Sequence, residues 1–99
     1  MALYKLTAKA ITDLTGIWEY TCDQWSEKQA DKYYKLLVEG FSEIAKNPLL
    51  GKTYFDVYPD LLGRQFSKHI IFYRVESAKS VLIIRILHEQ MDLKSGVEK

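Results

Sequence analysis

The chain has 99 residues, of which 47% are hydrophobic and 13% aromatic, and its formal net charge is +1. This length supports one domain, residues 1–99, and excludes a separate cofactor domain, while the composition excludes an intrinsically disordered chain. Cys22 is the single cysteine, so no intramolecular disulfide can form, and the N-terminus has no basic segment followed by a signal-peptide stretch. The longest apolar run is far too short to span a bilayer. We therefore expect a soluble cytoplasmic domain with no membrane contact.

The first half of the chain predicts a strand and a helical hairpin. Tyr4–Thr7 has the pattern of a short strand, and Thr7 is placed to cap a helix of apolar three- and four-residue spacing that runs to about Asp23. Ser26–Gln29, with the sequence SEKQ, is a capping box that begins a second helix. This helix is expected to end at Asn47-Pro48, because proline disfavours helix in the residue before it.

The second half predicts an antiparallel sheet. Residues 49–63 lack a sustained period and contain two glycines and a proline, so we expect a loop with room for one turn of helix. Two β-rich runs follow, 64–75 and 80–88, and the polar residues between them suit a hairpin turn. The first run is expected to bend near Ser67-Lys68 and form two strands. The expected fold class is α+β, with the N-terminal strand and helical hairpin packed on a C-terminal antiparallel sheet and residues 93–99 frayed.

Charge is distributed unevenly along the chain. Residues 1–48 carry six lysines and no arginine against seven acidic residues, whereas residues 61–88 carry five basic residues against Glu76 alone. The second segment also contains every arginine and both histidines. A cationic surface there would attract phosphate or an acidic protein segment, although basic residues that merely solubilise edge strands would give the same count.

Strand alternation assigns two faces to the predicted sheet. Leu82, Ile84 and Ile86 are expected to face the helices, so Arg85 is expected to point away from them. The face that carries Arg85 is expected to include Val81, Ile83 and Leu87 from the same strand and Lys68, Ile70, Phe72 and Arg74 from the preceding run. A surface that is both apolar and cationic is typical of a partner-binding face. The alternative is a sheet that curls inward and is covered by its own tail or by a dimer mate.

Four segments together resemble a known family. They are A-x-x-D-L-x-x-I-W-x-Y-T (Ala10 to Thr21), A-x-N-P-x-L-G (Ala45 to Gly51), H-x-I-F-Y-R-V (His69 to Val75) and R-I-L-H-x-x-M-D (Arg85 to Asp92). In this order they are similar to the ParE toxins of the RelE/ParE superfamily, over nearly the whole chain. The resemblance implies a toxin of a type II toxin–antitoxin pair with a compact α+β fold. It also implies neutralisation by a ParD-like antitoxin and action by poisoning DNA gyrase.

The RelE-like branch of this superfamily cuts messenger RNA in the ribosome, so an endoribonuclease is the alternative function. Metal-free RNA cleavage needs a general base, a general acid and cations for the phosphorane charge. Arg64, Arg85 and His88 resemble in position the arginines and histidine of some RNA-cleaving relatives, but the segment after the second helix offers no recognisable base. We therefore predict a toxin that acts by binding and has no catalytic residue.

The candidate site residues follow from the cationic face and the last strand. His69 and His88 fall by parity on the helix side of the sheet, where a histidine bonded to a neighbouring group is the simplest interpretation, and no ligand spacing typical of zinc is present. We predict that no metal or cofactor is needed, that an acidic and apolar antitoxin segment covers the open sheet face, and that the toxin alone does not bind specific DNA sequences. The predicted target- or antitoxin-binding residues are Arg64, Lys68, Ile70, Phe72, Arg74, Ile83, Arg85, Leu87, His88, Met91 and Asp92.

Overall fold

The computed structural model describes residues 3–90, which form two helices packed on one face of a five-stranded sheet. The strands are β1 (Leu3–Leu6), β2 (Lys52–Thr53), β3 (Leu62–Phe66), β4 (His69–Ser77) and β5 (Ser80–His88). The helices are α1 (Ala8–Gln24) and α2 (Glu27–Lys46), followed by a 3-10 turn at Pro48–Leu50. This arrangement confirms the predicted α+β class, the helical hairpin and the division of the first β-rich run at Ser67-Lys68.

Both helices begin at the predicted caps. The Thr7 hydroxyl accepts the N–H of Ala10 at 3.0 Å and donates to the carbonyl of Ile84 at 2.8 Å, so it caps α1 and fixes its start to β5. The Ser26 hydroxyl accepts the N–H of Gln29 at 3.0 Å and begins α2 after a two-residue break. No helix among the described residues is long and apolar enough to cross a membrane.

The sheet is mixed, which corrects the prediction of a purely antiparallel one. Its strand order is β1-β5-β4-β3-β2, and β1 lies parallel to β5 at the edge. The other neighbours are antiparallel. Parallel strands need a long connection, and the helical hairpin after β1 provides one. Strand periodicity alone does not reveal that β1 and β5 are parallel neighbours. The two-residue strand β2 was predicted as loop and is too short to give a pattern.

A β-bulge in the β4–β5 pair reverses part of the predicted face assignment. Phe72 pairs with Arg85 while the next residue, Tyr73, pairs with Ile83, so β5 carries one extra residue at Ile84. Because the side-chain period of a strand is two, one extra residue exchanges the faces on either side of it. Val81, Ile83 and Ile86 therefore pack in the core beneath the helices, together with Leu14, Leu37, Phe41, Ile44, Ile71 and Tyr73.

The opposite face of the sheet is covered, although it was predicted to be open. Ile70, Phe72 and Leu87 form a second buried cluster with Leu61, and each is at most 7% exposed. The segment between β2 and β3 lies over this cluster, with the Tyr54 ring edge-on to Phe72 at 5.1 Å between centroids. The predicted loop thus closes this face from within the same chain. The alternative expected cover by the chain's own tail or by a dimer mate, whereas the segment that covers this face is the loop around Tyr54.

Candidate partner-binding site

An open cavity of about 1010 Å³ lies where α1 and the start of α2 meet the end of the sheet. The apolar part of its lining includes Ile17 from α1 and Ile86 and Leu87 from β5. Two aromatic side chains that also line it, Tyr20 and Trp25, are 67% and 77% exposed. Exposed aromatic groups beside a concave apolar surface are typical of binding sites, so this cavity is the candidate functional site.

Arg85, which was predicted to point away from the helices, is bound to α1. Its Nε donates to Oδ2 of Asp13 at 2.7 Å and its Nη2 donates to Oδ1 at 2.9 Å. The same Oδ2 accepts the backbone N–H of Ile86 at 3.0 Å, and the two charged side chains are only 17% and 13% exposed. The hydrogen bond to Asp13 raises the pKa of the Arg85 guanidinium. β1 pairs with β5 only as far as Ile83, so α1 can lie along the remainder of β5. The Arg85 side chain reaches α1 there, and the alternation of faces along the strand does not predict this contact.

His69 and His88 meet on the helix side, as parity predicted. Their rings are edge to face with centroids 5.3 Å apart. The Tyr33 hydroxyl lies 2.6 Å from His69 Nδ1, accepts the N–H of Lys68 at 3.3 Å and lies 3.5 Å from the Phe66 carbonyl oxygen. Burial, and then the neighbouring His88, lower the pKa of His69 to about 4. His69 is therefore neutral near pH 7.

Lys68 lies at the mouth of the cavity, on the tight turn between β3 and β4. The turn consists of Ser67 and Lys68, and Ser67 adopts a φ of 58°. This left-handed conformation at the first turn residue is typical of the type I′ and II′ turns that join hairpin strands. Lys68 is exposed and lines the cavity together with helix residues. It was predicted to share the opposite face with Phe72, but a turn residue does not follow the alternation of either strand.

Arg64 and Arg74 lie outside the cavity. Arg64 pairs with Ile71 across β3 and β4, and its guanidinium lies 5.2 Å from the centroid of the Phe66 ring. Its Nη1 is buried and has no hydrogen-bond partner among the described residues. Arg74 forms an exposed ion pair with Glu76 at 3.5 Å. The structure therefore brings Lys68, Arg85, Leu87 and His88 together, whereas Arg64, Ile70, Phe72, Arg74 and Ile83 lie elsewhere, and Met91 and Asp92 fall outside the described residues.

The sequence analysis did not assign a binding role to several cavity residues, four of which carry acidic or aromatic groups that the site uses. They are Asp13, Tyr20, Trp25 and Tyr33. Trp25 could have been found, because a tryptophan directly before a capping box falls in a short turn where burial is hard to achieve. The role of Asp13 had no such signal, since its partner lies 72 positions away. Within residues 3–90 there is no group of three histidine, cysteine or acidic side chains that could hold a metal ion.

Comparison with known proteins assigns the family. Residues 4–93 match the family model described as ParE toxin of type II toxin-antitoxin system, parDE. Toxin ParE1 of Mycobacterium tuberculosis is 31% identical over 90 residues, covering 91% of this chain and 92% of the relative. Toxin ParE of Escherichia coli is 33% identical over 93 residues, covering 94% and 90%. Toxin ParE1 of Caulobacter vibrioides is 32% identical over 95 residues, covering 96% and 97%.

Solved structures have the same fold. A chain of the chromosomal ParDE toxin–antitoxin system from P. aeruginosa superposes with a TM-score of 0.75 at 22% identity, covering 89% of this chain and 95% of that one. A chain of the toxin–antitoxin complex RelBE2 from Mycobacterium tuberculosis gives a TM-score of 0.68 at 18% identity, covering 88% and 96%. With the family model spanning most of the chain and relatives above 30% identity along its length, this protein belongs to the ParE toxin family of type II toxin–antitoxin systems.

Proposed function

We propose that this ParE-family toxin inhibits growth by binding DNA gyrase in the cytoplasm, without catalysis, and that a ParD-like antitoxin neutralises it. The match to the ParE family over residues 4–93 carries the proposal, because gyrase poisoning is the activity that the resemblance to ParE toxins implies. The toxin alone would bind neither a specific DNA sequence nor a membrane. Its two partners are therefore proteins.

The state of the charged groups in the cavity supports inhibition by binding over RNA cleavage. A ribonuclease needs cations that are free to neutralise charge developing on the phosphate. The Arg85 guanidinium already has two hydrogen bonds to Asp13. His69 is neutral near pH 7, and its Nδ1 is already in a hydrogen bond of 2.6 Å with the Tyr33 hydroxyl, so it is not open to a substrate hydroxyl. A ring nitrogen that is already held in a hydrogen bond is a poor general base.

A RelE-type endoribonuclease is the second candidate, and one observation favours it. Lys68, His69, His88 and Tyr33 converge in a single cavity, which is more acid–base chemistry than a purely apolar docking surface requires. To act as a nuclease this cluster would have to release Arg85 from Asp13 and His69 from Tyr33. Such a change would need binding energy from a large partner such as the ribosome.

Induction of the protein in cells separates the two functions. Gyrase inhibition is expected to give gyrase-linked DNA breaks and a DNA-damage response while translation continues. Early loss of translation with cleaved messages and intact DNA would contradict it. In parallel, purified toxin is expected to block supercoiling by purified gyrase and to leave naked RNA intact, with and without added zinc. Metal-dependent RNA hydrolysis that His88→Ala abolishes would also refute the proposal.

A further inference from the structure

Two adjacent leucines are exposed where the chain leaves α2 and enters the sheet. Leu49 and Leu50 lie in the 3-10 turn and are 83% and 69% exposed. Neither belongs to the buried clusters of the described residues, so neither stabilises the core. Adjacent exposed leucines are a poor water surface, and exposed apolar patches mark protein–protein contacts. These two side chains are available to a partner that covers them.

The backbone of this turn is held in place from the core. The hydroxyl of the buried Tyr73 donates to the Pro48 carbonyl at 2.6 Å. Gly51 packs so closely on the same hydroxyl that a Cβ there would overlap it. Leu49 and Leu50 are therefore presented on a fixed backbone, and a partner does not have to order the turn in order to bind it.

Arg64 lies on the strand beside this turn. In the β2–β3 register Lys52 pairs with Gly63, which places Gly51 opposite Arg64. Burial raises the pKa of Tyr73, and the Gly51 N–H and the Arg64 charge both oppose that shift, as expected of groups that surround one hydroxyl. The turn, Lys52 and Arg64 therefore lie together at one edge of the sheet. We call this surface the β2 edge, and its residues are Leu49, Leu50, Lys52 and Arg64.

The Arg64 guanidinium has a hydrogen-bond donor that nothing accepts. Its Nη1 is buried and has no partner among residues 3–90, and the Phe66 ring beside it offers a cation–π contact but no oxygen. An unsatisfied charged donor costs stability, and an apolar side chain of similar length would avoid that cost. A partner carboxylate would satisfy the guanidinium, because it can accept two parallel N–H groups from one arginine.

Lys52 gives the β2 edge a second cation. Its ammonium lies 5.5 Å from the centroid of the Tyr54 ring, and within the described part of the chain neither Lys52 nor Arg64 has a carboxylate within 4 Å. The acidic residues of the following segment, Asp56 and Asp60, are exposed and pair with neither cation. Two unpaired cations beside two exposed leucines are complementary to a protein surface that is both acidic and apolar. Duplex DNA fits less well, because its affinity comes from many phosphate contacts, to which leucines do not contribute.

We propose that the β2 edge is the surface with which this toxin binds its target, and that it takes a segment of the target in which a carboxylate is flanked by apolar side chains. The carboxylate pairs with Arg64 and Lys52, and the apolar side chains cover Leu49 and Leu50. The inference rests on the proposed function, which makes DNA gyrase the target.

The β2 edge and the cavity lie at opposite ends of α2. The cavity is lined by Gln29 and Tyr33 from the first turns of this helix and by none of its later residues. The turn that carries Leu49 follows its last residue, Lys46. The rise from Gln29 to Lys46 is about 26 Å, because an α-helix rises about 1.5 Å per residue. Substitutions at the β2 edge therefore leave the cavity unchanged.

Variants at the two edges of the sheet test the surface. Leu49→Ala and Lys52→Glu change the β2 edge. Leu3→Ala and Lys5→Glu are the matched controls, because both residues are exposed on β1, the strand at the opposite edge. These four are expected to melt within about 2 °C of the wild type, because exposed substitutions rarely change stability. Arg64→Met is expected to melt at or above the wild-type temperature, because it removes an unsatisfied charged donor.

Binding to purified DNA gyrase is measured by biolayer interferometry, and inhibition is measured by titrating each variant into a supercoiling assay. Leu49→Ala and Lys52→Glu are expected to weaken binding and inhibition by about tenfold and Arg64→Met by about 30-fold, whereas the two controls stay within about twofold. The affinity for the ParD-like antitoxin, measured by calorimetry, is expected to stay within about twofold for all five variants. A loss of gyrase binding with normal melting and normal antitoxin affinity cannot come from misfolding.

Three results would overturn the surface. They are wild-type inhibition by Arg64→Met and Leu49→Ala, an equal loss in the β1 controls, and a loss of affinity for the antitoxin or for duplex DNA alone that matches the loss for gyrase. A wild-type protein that leaves supercoiling unaffected would instead refute the proposed function. Growth arrest then tests the surface without reference to gyrase: a stably folded Arg64→Met that no longer arrests growth would support it, and one that arrests growth normally would overturn it.

Discussion

Removing Asp13 is expected to destabilise the fold, although Asp13 is a single polar residue on α1. Its carboxylate accepts two hydrogen bonds from Arg85 and one from the backbone of Ile86. Asp13→Ala would therefore remove the carboxylate to which both the Arg85 guanidinium and the Ile86 N–H donate, at a site where the Arg85 side chain is 17% exposed. The contact also joins α1 to the last strand, so the loss affects the packing of helix on sheet.

The magnitude follows from burial. Breaking a fully buried ion pair costs about 3–5 kcal/mol, and a buried unsatisfied N–H costs about 1–3 kcal/mol. Because both side chains keep some contact with solvent, we expect about 2–4 kcal/mol for Asp13→Ala. Arg85→Met should cost less, about 1–3 kcal/mol, since Asp13 keeps the Ile86 N–H and can hydrate its other oxygen. The double variant Asp13→Ala/Arg85→Met should be destabilised by about 1–2 kcal/mol less than the sum of the two single variants.

Urea unfolding of the four proteins, followed by circular dichroism, measures these free energies. Glu19→Ala is the matched control, because Glu19 is an exposed acidic residue on the same helix, and it should stay within about 0.5 kcal/mol of the wild type. If Asp13→Ala and Arg85→Met were as stable as Glu19→Ala, or if their effects were additive, the pair would not hold α1 on β5.

Three further predictions concern the core, a close contact and pH. Leu37→Ala should cost about 2–5 kcal/mol in urea unfolding, because Leu37 is 0% exposed and its truncation leaves a cavity; a change under about 0.5 kcal/mol would contradict the assigned core. Gly51→Ala should lower the melting temperature, because a Cβ there would overlap the Tyr73 hydroxyl that donates to the Pro48 carbonyl, and Tyr73→Phe should restore part of the loss. The pKa of His69 is lowered from 6.5 to about 4, so the contribution of its neutral form to stability is fully present above about pH 6.5. As the pH falls from about 6.5 to about 4, the free energy of unfolding should decrease by about 1–2 kcal/mol, after allowance for solvent screening. His69→Gln should flatten this part of the profile, and an unchanged slope would contradict the assignment.

Local patterns in the sequence were sufficient to predict both helices and, among the described residues, every strand except β2. The hydroxyl caps at Thr7 and Ser26 are where they were predicted, because N-capping depends on residues within one helical turn. The strand 80–88 was also predicted at its observed bounds, since a continuous β-branched run between polar turns has few alternative structures. The family resemblance was confirmed because it used segments along the whole chain and not one short motif.

The faces of the strands and the long-range contacts of the site could not be predicted from local sequence patterns. One extra residue at Ile84 exchanged the faces of β5, and no residue type in that run of isoleucine and leucine marks a bulge. The burial of Phe72 depends on Tyr54 and its neighbours in a segment without periodicity, so its position over the sheet could not be derived from pattern. The cavity gathers α1, α2 and the last two strands, and such a set is defined by tertiary packing and not by spacing.

The Asp13–Arg85 pair also limits what a loss of toxicity can mean. Arg85 belongs to one of the segments that carry the family resemblance, and a variant without growth inhibition would ordinarily be taken as evidence that it contacts the target. Here the same substitution removes a link between α1 and β5, so an unfolded toxin and a folded toxin with a damaged surface would give the same growth assay. Lys68 does not have this ambiguity, because its side chain is exposed and makes no ion pair among the described residues. The surface that acts on the target is therefore better mapped from exposed positions such as Lys68 and Arg74, and Arg85 becomes informative only beside the unfolding free energy of each variant.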